Sequence, residues 1–91
     1  MRITRYHLLI EGRVQGVGYR MSAQTAAQKI GVTGWVRNLS NGQVELVAEC
    51  DFDNLKQLVD WAWQGPRFAD VTNITITEQT ATGEFDAFEV R

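Results

Sequence analysis

The sequence predicts an α+β protein in which two helices pack on one face of an antiparallel sheet. Apolar and polar residues alternate over residues 5–11 and 42–50, which is typical of strands with one face on a core. Apolar residues recur at helical spacing in two other segments, after residue 18 and after residue 51. The dipeptide Asn41-Gly42 is a turn signal that joins two of the strands as a hairpin. The resulting order, βαββαβ plus a short terminal strand, is that of a ferredoxin-like two-layer sandwich.

Length and composition limit the class of protein. The chain has 91 residues, so we expect residues 1–91 to form a single domain. A net charge of −2 disfavours binding to nucleic acid or anionic membranes through bulk charge. No apolar run has the length of a membrane span, and the lone Cys50 fits a reducing compartment. We therefore expect a cytoplasmic monomer, without a metal or another cofactor, that binds neither nucleic acid nor membranes.

The first strand and the first helix flank a glycine-rich loop. Over residues 5–11 the even-numbered positions are apolar and face the core, which places His7 on the outer face as an ordinary surface residue. From Tyr19 to Ile30 the helical pattern is rich in alanine, and Gly31 is a natural end for this helix. Small alanines let the helix approach the sheet closely, which would hold the preceding loop in shape.

A hairpin follows the first helix. Its strands cover residues 32–38 and 42–50, and the even-numbered positions of the second strand face the core. Cys50 has this inward parity and is interpreted as a small buried hydrophobe rather than a nucleophile, since no histidine is positioned by sequence to activate it.

The second helix begins after Asp51, a residue type that caps helix N-termini, and ends at Gly65-Pro66. Trp61 and Trp63 project about 200° apart on a helix, so one packs on the sheet and the other is at least partly exposed.

Two strands complete the sheet. Residues 69–79 form the fourth strand, where a change of parity among the apolar residues predicts a bulge or twist near Asn73. Residues 85–91 form a short last strand with Phe88 and Val90 inward.

The stretch most informative about function is residues 12–20, which read G-R-V-Q-G-V-G-Y-R. Gly16 and Gly18 accept positive φ angles, so successive backbone N–H groups can turn toward one point. The following helix N-terminus adds free N–H groups and the positive end of its dipole, and Arg20 adds a planar cation. This combination predicts a cradle for phosphate or a similar oxyanion.

The residues of this loop exclude two nucleotide-binding motifs. A P-loop would end in Gly-Lys-Ser/Thr, and a dinucleotide fingerprint would have glycine where Met21 stands, so neither motif fits. A tight strand–helix connection that needs its glycines only for steric reasons stays open on this segment alone.

A second segment, Gly34-Trp35-Val36-Arg37-Asn38, is followed by the turn at Asn41-Gly42. Together, G-R-V-Q-G-V-G-Y-R and G-W-V-R-N-x-x-x-G closely resemble the two signatures of the acylphosphatase family, and the resemblance extends to the chain's end at Phe88-Glu89-Val90-Arg91. It implies the ferredoxin-like fold with five strands, and it implies that the loop over 12–20 lies beside the end of the second strand.

The resemblance also implies the reaction: hydrolysis of a carboxyl–phosphate anhydride to a carboxylate and inorganic phosphate, with a small acyl phosphate as substrate. It implies that Arg20 and Asn38 are the catalytic residues, with Asn38 orienting the attacking water. The phosphate would be bound by the Arg20 guanidinium and by loop amides; the loop residues implied are Gln15, Gly16, Val17, Gly18, Tyr19 and Arg20. Arg13 and Arg37 are expected to be solvated or ion-paired surface residues.

Two functions of other classes stay open on the sequence. A ferredoxin-like nucleic-acid module would need aromatic side chains and a basic face on the central strands, but the outward residues of the third strand include Glu45 and Glu49. A non-catalytic module that binds an anion or handles carbamoyl phosphate would use the same loop without turnover. Release of phosphate from acetyl or benzoyl phosphate separates catalysis from mere binding.

Overall fold

The computed structural model describes residues 2–91, which form two helices and five strands. They are β1 (Thr4–Arg13), α1 (Tyr19–Ile30), β2 (Thr33–Asn38), β3 (Val44–Cys50), α2 (Phe52–Gln64), β4 (Asp70–Gln79) and β5 (Phe88–Val90). The predicted order βαββαβ with a short terminal strand is confirmed. The last strand is shorter than predicted, since pairing begins only at Phe88.

The five strands form one sheet in the order β4-β1-β3-β2-β5. The four longer strands pair antiparallel, as the hairpin signal and the alternating pattern predict. β5 instead pairs parallel with β2, so the sheet is mixed rather than wholly antiparallel. The reason is the path of the chain, because the segment after β4 crosses to the opposite edge of the sheet and enters it in the direction of β2.

Both helices pack on one face of the sheet and bury a continuous apolar core. Leu8 and Ile10 of β1 and Leu46 of β3 are buried, as their even-numbered positions predict. The helices contribute alanines and leucines to the same cluster, including Ala23 and Leu55. The alanine-rich face of α1 therefore allows the close helix–sheet contact on which the loop before it depends.

Helix ends follow the local sequence signals. Gly31 ends α1 in a left-handed conformation, and the Asp51 carboxylate accepts a hydrogen bond of 2.8 Å from the Asn54 amide at the start of α2. Trp61 is half-buried against Tyr19 whereas Trp63 is exposed, as their spacing predicts.

The predicted irregularity in β4 is present. The pairing of β1 with β4 shifts register between Glu11 and Gly12, whose partners are Asn73 and Val71, so Thr72 is the extra residue of a bulge. The bulge lies where β1 leaves the sheet and enters the loop over residues 12–20.

The outer face of the sheet is less exposed to solvent than its outward-facing glutamates predict. Glu49 is buried, because its carboxylate accepts hydrogen bonds from the Arg5 guanidinium (2.7 Å) and from the amides of Thr82 (2.9 Å) and Gly83 (3.0 Å). The segment between β4 and β5 thus folds over the end of β3.

Cys50, predicted to be buried, is only half-buried, and its Sγ lies 3.6 Å from the Gly31 carbonyl oxygen. The reason is its position at the margin of the sheet, where the third strand ends.

A membrane crossing requires a helix that is both long and apolar. Neither helix of residues 2–91 meets both requirements.

Candidate active site

The loop between β1 and α1 has the conformation that its glycines allow. Gly16 and Gly18 have φ angles of 74° and 78°, and a Cβ built on either would meet nothing within 4 Å. Their requirement for glycine is therefore one of backbone conformation rather than of space. The amides from Gln15 to Met21 donate no hydrogen bond to any part of the chain described, so all of them remain available to an anion.

The N-terminus of α1 is prepared for negative charge. Gly18 occupies the cap position, no side chain of the described residues caps this end, and the first turn contains no acidic residue. Ser22 is the first residue of α1 whose amide donates a main-chain hydrogen bond within the described chain, and its acceptor is the Gly18 carbonyl oxygen. The unpaired N–H groups and the positive end of the dipole therefore converge at the loop.

Arg20 lies in this first turn, where a cation is unfavourable unless an anion compensates it. Its Nη1 donates a hydrogen bond of 3.0 Å to the main-chain carbonyl oxygen of Arg91. The Arg91 amide in turn donates to the Val36 carbonyl oxygen at 2.8 Å, which ties this contact to β2. The guanidinium is therefore held at the edge of the sheet and directed toward the strand that carries Asn38.

The structure brings Arg20 and Asn38 to one small cavity of about 110 Å³. Gly16 and Gly18 of the loop form part of its wall, as do Val14, Tyr19 and Met21. The size suits a tetrahedral anion with a water beside it. The carboxyl end of β2 and the N-terminus of α1 are adjacent here, which the spacing of the two motifs could not establish.

Asn38 carries an unpaired polar atom. Its Oδ1 is buried, and no donor among residues 2–91 lies within hydrogen-bond distance of it. A buried carbonyl oxygen without a partner is costly and marks a site where another molecule donates a hydrogen bond. Since Asn38 lines the cavity, this acceptor is suited to a water molecule held against the bound anion.

Gln15 connects the two motifs through its side chain. Its Nε2 donates to the carbonyl oxygens of Leu39 (2.8 Å) and Gln43 (2.9 Å), which lie in the turn that connects β2 to β3. The Leu39 amide also donates to the Gln43 carbonyl oxygen at 2.9 Å. Gln15 therefore fixes the distance between the loop and the residue that follows Asn38.

Tyr19 anchors the other side of the loop to α2. Its side chain is buried, its hydroxyl donates to the Ala62 carbonyl oxygen at 2.7 Å, and its ring lies 5.3 Å from that of Trp61. Burial raises the pKa of the Tyr19 hydroxyl well above its ordinary value. Tyr19 therefore stays neutral near neutral pH and has a positioning role.

The remaining basic and titratable residues near the motifs lie outside the cavity. Arg13 is exposed at the end of β1. Arg37 is bound to Glu45 at 2.6 Å, and the same carboxylate lies 2.8 Å from His7 on the outer face of the sheet. Val17 is half-buried against the core, so within the loop it contributes its backbone rather than a reactive side chain.

The side chains available for metal binding do not cluster. Residues 2–91 contain no group of three or more histidine, cysteine, aspartate or glutamate side chains arranged to hold a metal ion. The donors around the cavity are amides, one guanidinium and one carboxamide, which bind anions and water rather than cations.

Three contributions to this site were not predicted from the sequence. Gln15 was expected to act only through its backbone amide, and neither Met21 nor Arg91 was expected to have a role. The contacts of Gln15 and Arg91 join residues far apart in sequence, such as the 71-residue separation between Arg20 and Arg91, so no local pattern signals them. Met21 follows Arg20 directly, but its place in the wall of the cavity depends on the position of β2.

Similarity to known proteins extends over nearly the whole chain. A family model described as Acylphosphatase matches residues 6–90. An acylphosphatase of Methylococcus capsulatus is 51% identical over 86 residues, which cover 94% of this chain and 94% of that protein. One from Marinobacter nauticus is 49% identical and covers 97% and 96%. A solved acylphosphatase structure from Coxiella burnetii superposes with a TM-score of 0.93 at 40% identity, covering 98% of this chain and 93% of that one.

Proposed function

The chain belongs to the acylphosphatase family and hydrolyses acyl phosphates to a carboxylate and inorganic phosphate, and from this premise we propose how its residues divide the work. The amides of Gln15 to Arg20 and the Arg20 guanidinium bind the phosphoryl group, and Asn38 orients the attacking water. The single observation that carries this proposal is the cavity shared by Arg20, Asn38 and the two loop glycines.

Binding of the phosphoryl group is the task of fixed donors. The loop amides have no other acceptor in the described chain, and they converge at a helix N-terminus without an acidic neighbour. Because these dipoles are already oriented, they stabilise charge on the phosphoryl oxygens without reorganising during the reaction. The Arg20 fork supplies the one full positive charge and can contact two oxygens at once.

Water is positioned by Asn38. Its unpaired Oδ1 accepts a hydrogen bond from the water, whose oxygen then attacks phosphorus in line with the bond to the acyl oxygen. That P–O bond breaks, and its electron pair leaves with the carboxylate. A carboxylate is a good leaving group, so no acid is needed to protonate it.

The protons of the water remain with the phosphate. An acyl phosphate dianion and water give a carboxylate and dihydrogen phosphate, so charge and atoms balance without a base on the protein. Neither arginine nor asparagine titrates near neutral pH, and burial raises the pKa of Tyr19 away from this range. We propose that the substrate phosphate itself accepts the proton.

We also propose the domain organisation, location, oligomeric state and cofactor requirement of the protein. We propose that residues 1–91 act as one domain, as a cytoplasmic monomer, on a small-molecule substrate and without a metal cofactor. The acidic outer residue Glu45 and the overall charge of −2 support the absence of a nucleic-acid partner.

The deciding experiment is phosphate release from acetyl phosphate and benzoyl phosphate by pure protein in the presence of EDTA. We expect full activity after exhaustive dialysis against the chelator, because the proposed donors need no cation. Loss of activity that Mg²⁺ restores would refute metal independence. Anion binding without any turnover would instead favour the non-catalytic module.

A further inference from the structure

A second concave surface begins where the small cavity ends. This groove has a volume of about 450 Å³ and lies between α1 and α2. Its lining consists of Met21, Ser22, Thr25, Ala26, Lys29 and Trp61. Met21 lines both the groove and the cavity that contains Arg20 and Asn38, so the two spaces are neighbours that share this residue.

The groove has a direction. Met21, Thr25 and Lys29 follow one another at intervals of four residues and so form one stripe along α1. Lys29 lies eight residues from Met21, or about 12 Å along the helix axis. The groove therefore starts at the phosphate-binding end of α1 and runs toward its C-terminus.

The near part of the groove is apolar and its floor is fixed. Met21 is 63% exposed, so its apolar side chain is accessible to a ligand in the groove. The Trp61 ring is packed against Tyr19, whose hydroxyl is bonded to Ala62. The same tyrosine thus sets the position of the groove floor relative to the phosphate-binding loop.

The far part of the groove carries a positive charge. Lys29 forms no ion pair with any of residues 2–91, and long side chains on a helix lean toward its N-terminus, back along the groove. The Thr25 hydroxyl is already engaged, since it donates to the Met21 carbonyl oxygen at 3.2 Å. The surface therefore offers an apolar track that ends in one free ammonium group.

We propose that this groove is the acyl subsite, and that the preferred substrates are acyl phosphates with an extended apolar chain ending in an anionic group. The proposal rests on the proposed function. In-line attack by the water on Asn38 requires the acyl group to leave on the opposite side of phosphorus, and the groove beside Met21 is the neighbouring space large enough to receive it. The apolar chain lies along Met21 and Trp61, and its terminal anion pairs with Lys29.

The test compares acetyl, hexanoyl and 6-carboxyhexanoyl phosphate. The leaving carboxylates have nearly equal basicity, so differences in kcat/KM report binding of the chain rather than intrinsic reactivity. Four additional methylenes, each partly buried in an open groove, should raise kcat/KM of hexanoyl over acetyl phosphate by roughly tenfold. Equal values for the two substrates would overturn the proposal.

Two variants locate the effect. Thr25→Trp fills the middle of the groove, so the hexanoyl-to-acetyl ratio of kcat/KM should fall to near one. Gln28→Trp adds the same side chain at an exposed position of α1 outside the groove and should keep the ratio. An unchanged ratio in Thr25→Trp, or an equal fall in both variants, would show that the groove does not bind the acyl chain.

The charge is tested separately with Lys29→Met. It should lower kcat/KM for 6-carboxyhexanoyl phosphate by roughly two- to fivefold at low salt and leave that for hexanoyl phosphate unchanged. An unchanged preference for the carboxylated substrate would remove the anionic end from the proposal. All these ratios are independent of how Arg20 and Asn38 share the chemistry, so failure of the catalytic assignment would appear instead in the acetyl phosphate rates of their own variants.

Discussion

The guanidinium of Arg20 and the main-chain carbonyl oxygen of Arg91 are joined by a hydrogen bond of 3.0 Å. Because the Arg91 amide donates to Val36, two residues before Asn38, the same strand positions both proposed catalytic residues. The parallel pairing of β5 with β2 therefore matters for the site. It positions Arg91, the residue after β5, whose main-chain oxygen accepts the hydrogen bond from the Arg20 guanidinium.

Replacement of Arg20 by lysine keeps the charge and removes the planar fork. We expect kcat/KM for acetyl phosphate to fall by about 10²-fold or more, because an ammonium group lacks the planar fork that contacts two phosphoryl oxygens at once while it is also bonded to the Arg91 main-chain oxygen. Steady-state phosphate release measures it. Arg13→Lys, an exposed position of the same motif, is the matched control and should retain activity. A nearly active Arg20→Lys enzyme would contradict the proposed role of the fork.

Replacement of Asn38 by alanine should separate turnover from binding. The variant loses the acceptor for water, so kcat should fall by about 10²-fold, while inhibition by inorganic phosphate stays near wild type. Asn73→Ala removes an exposed carboxamide on β4 and serves as the control. If phosphate inhibition weakens as much as kcat falls, Asn38 also binds the anion.

Gln15→Ala tests the contact between the loop and the hairpin. Removal of the bonds to Leu39 and Gln43 should cost about 1–2 kcal/mol of unfolding free energy and lower kcat, because the loop and Asn38 are no longer held at a fixed distance. Denaturant unfolding and steady-state kinetics measure the two effects. Gln28→Ala, on the exposed face of α1, should change neither. Wild-type kcat in a destabilised Gln15→Ala protein would limit Gln15 to a purely structural contact.

The pH dependence of the rate tests the proposed fate of the proton. Since no carboxylate, histidine or cysteine of residues 2–91 lines the cavity and burial raises the pKa of Tyr19, kcat should vary little between about pH 5 and 8 beyond the ionisation of the substrate. His7→Ala and Glu11→Ala should have the same profile as wild type. A steep limb that disappears in either variant would identify a protein base.

Glu49 should make the protein sensitive to acid. Burial raises the pKa of this carboxyl, but hydrogen bonds from the Thr82 amide, the Arg5 guanidinium and the Gly83 amide outweigh it, and the pKa lies below its ordinary value. The folded state therefore gains stability above the unfolded pKa, about 4.3, and loses that gain as pH falls through the lower folded pKa.

Thermal unfolding between pH 3 and 7 measures this effect. Glu49→Gln should lower stability at pH 7 by about 1–3 kcal/mol and flatten the acid dependence, because the ionised acceptor is gone. Glu78→Gln, at an exposed position of β4, is the control and should keep the wild-type dependence. Equal acid sensitivity of the Glu49→Gln and wild-type proteins would show that another group controls it.

Signals in the local sequence were sufficient to predict features that depend only on neighbouring residues. The turn at Asn41-Gly42, the cap at Asp51, the end of α1 at Gly31 and the bulge beside Asn73 were all predicted from neighbouring residues and are present. Coverage of Glu49 was not, because the segment that crosses from β4 to β5 has no pattern that indicates where it packs. Partial exposure of Cys50 was not predicted either, because alternation along β3 does not show how well the end of the strand is covered.

The order of residues by itself determined the elements, the two signature motifs and the positive φ angles of Gly16 and Gly18, since each depends on interactions within a few residues. Only the tertiary structure decided that Arg20 meets Arg91, that Gln15 holds the hairpin, and that Met21 lines both the cavity and the neighbouring groove. These relationships join residues 24 to 71 positions apart or on separate elements, and packing of the two helices on the sheet brings them together. No spacing along the chain specifies such contacts.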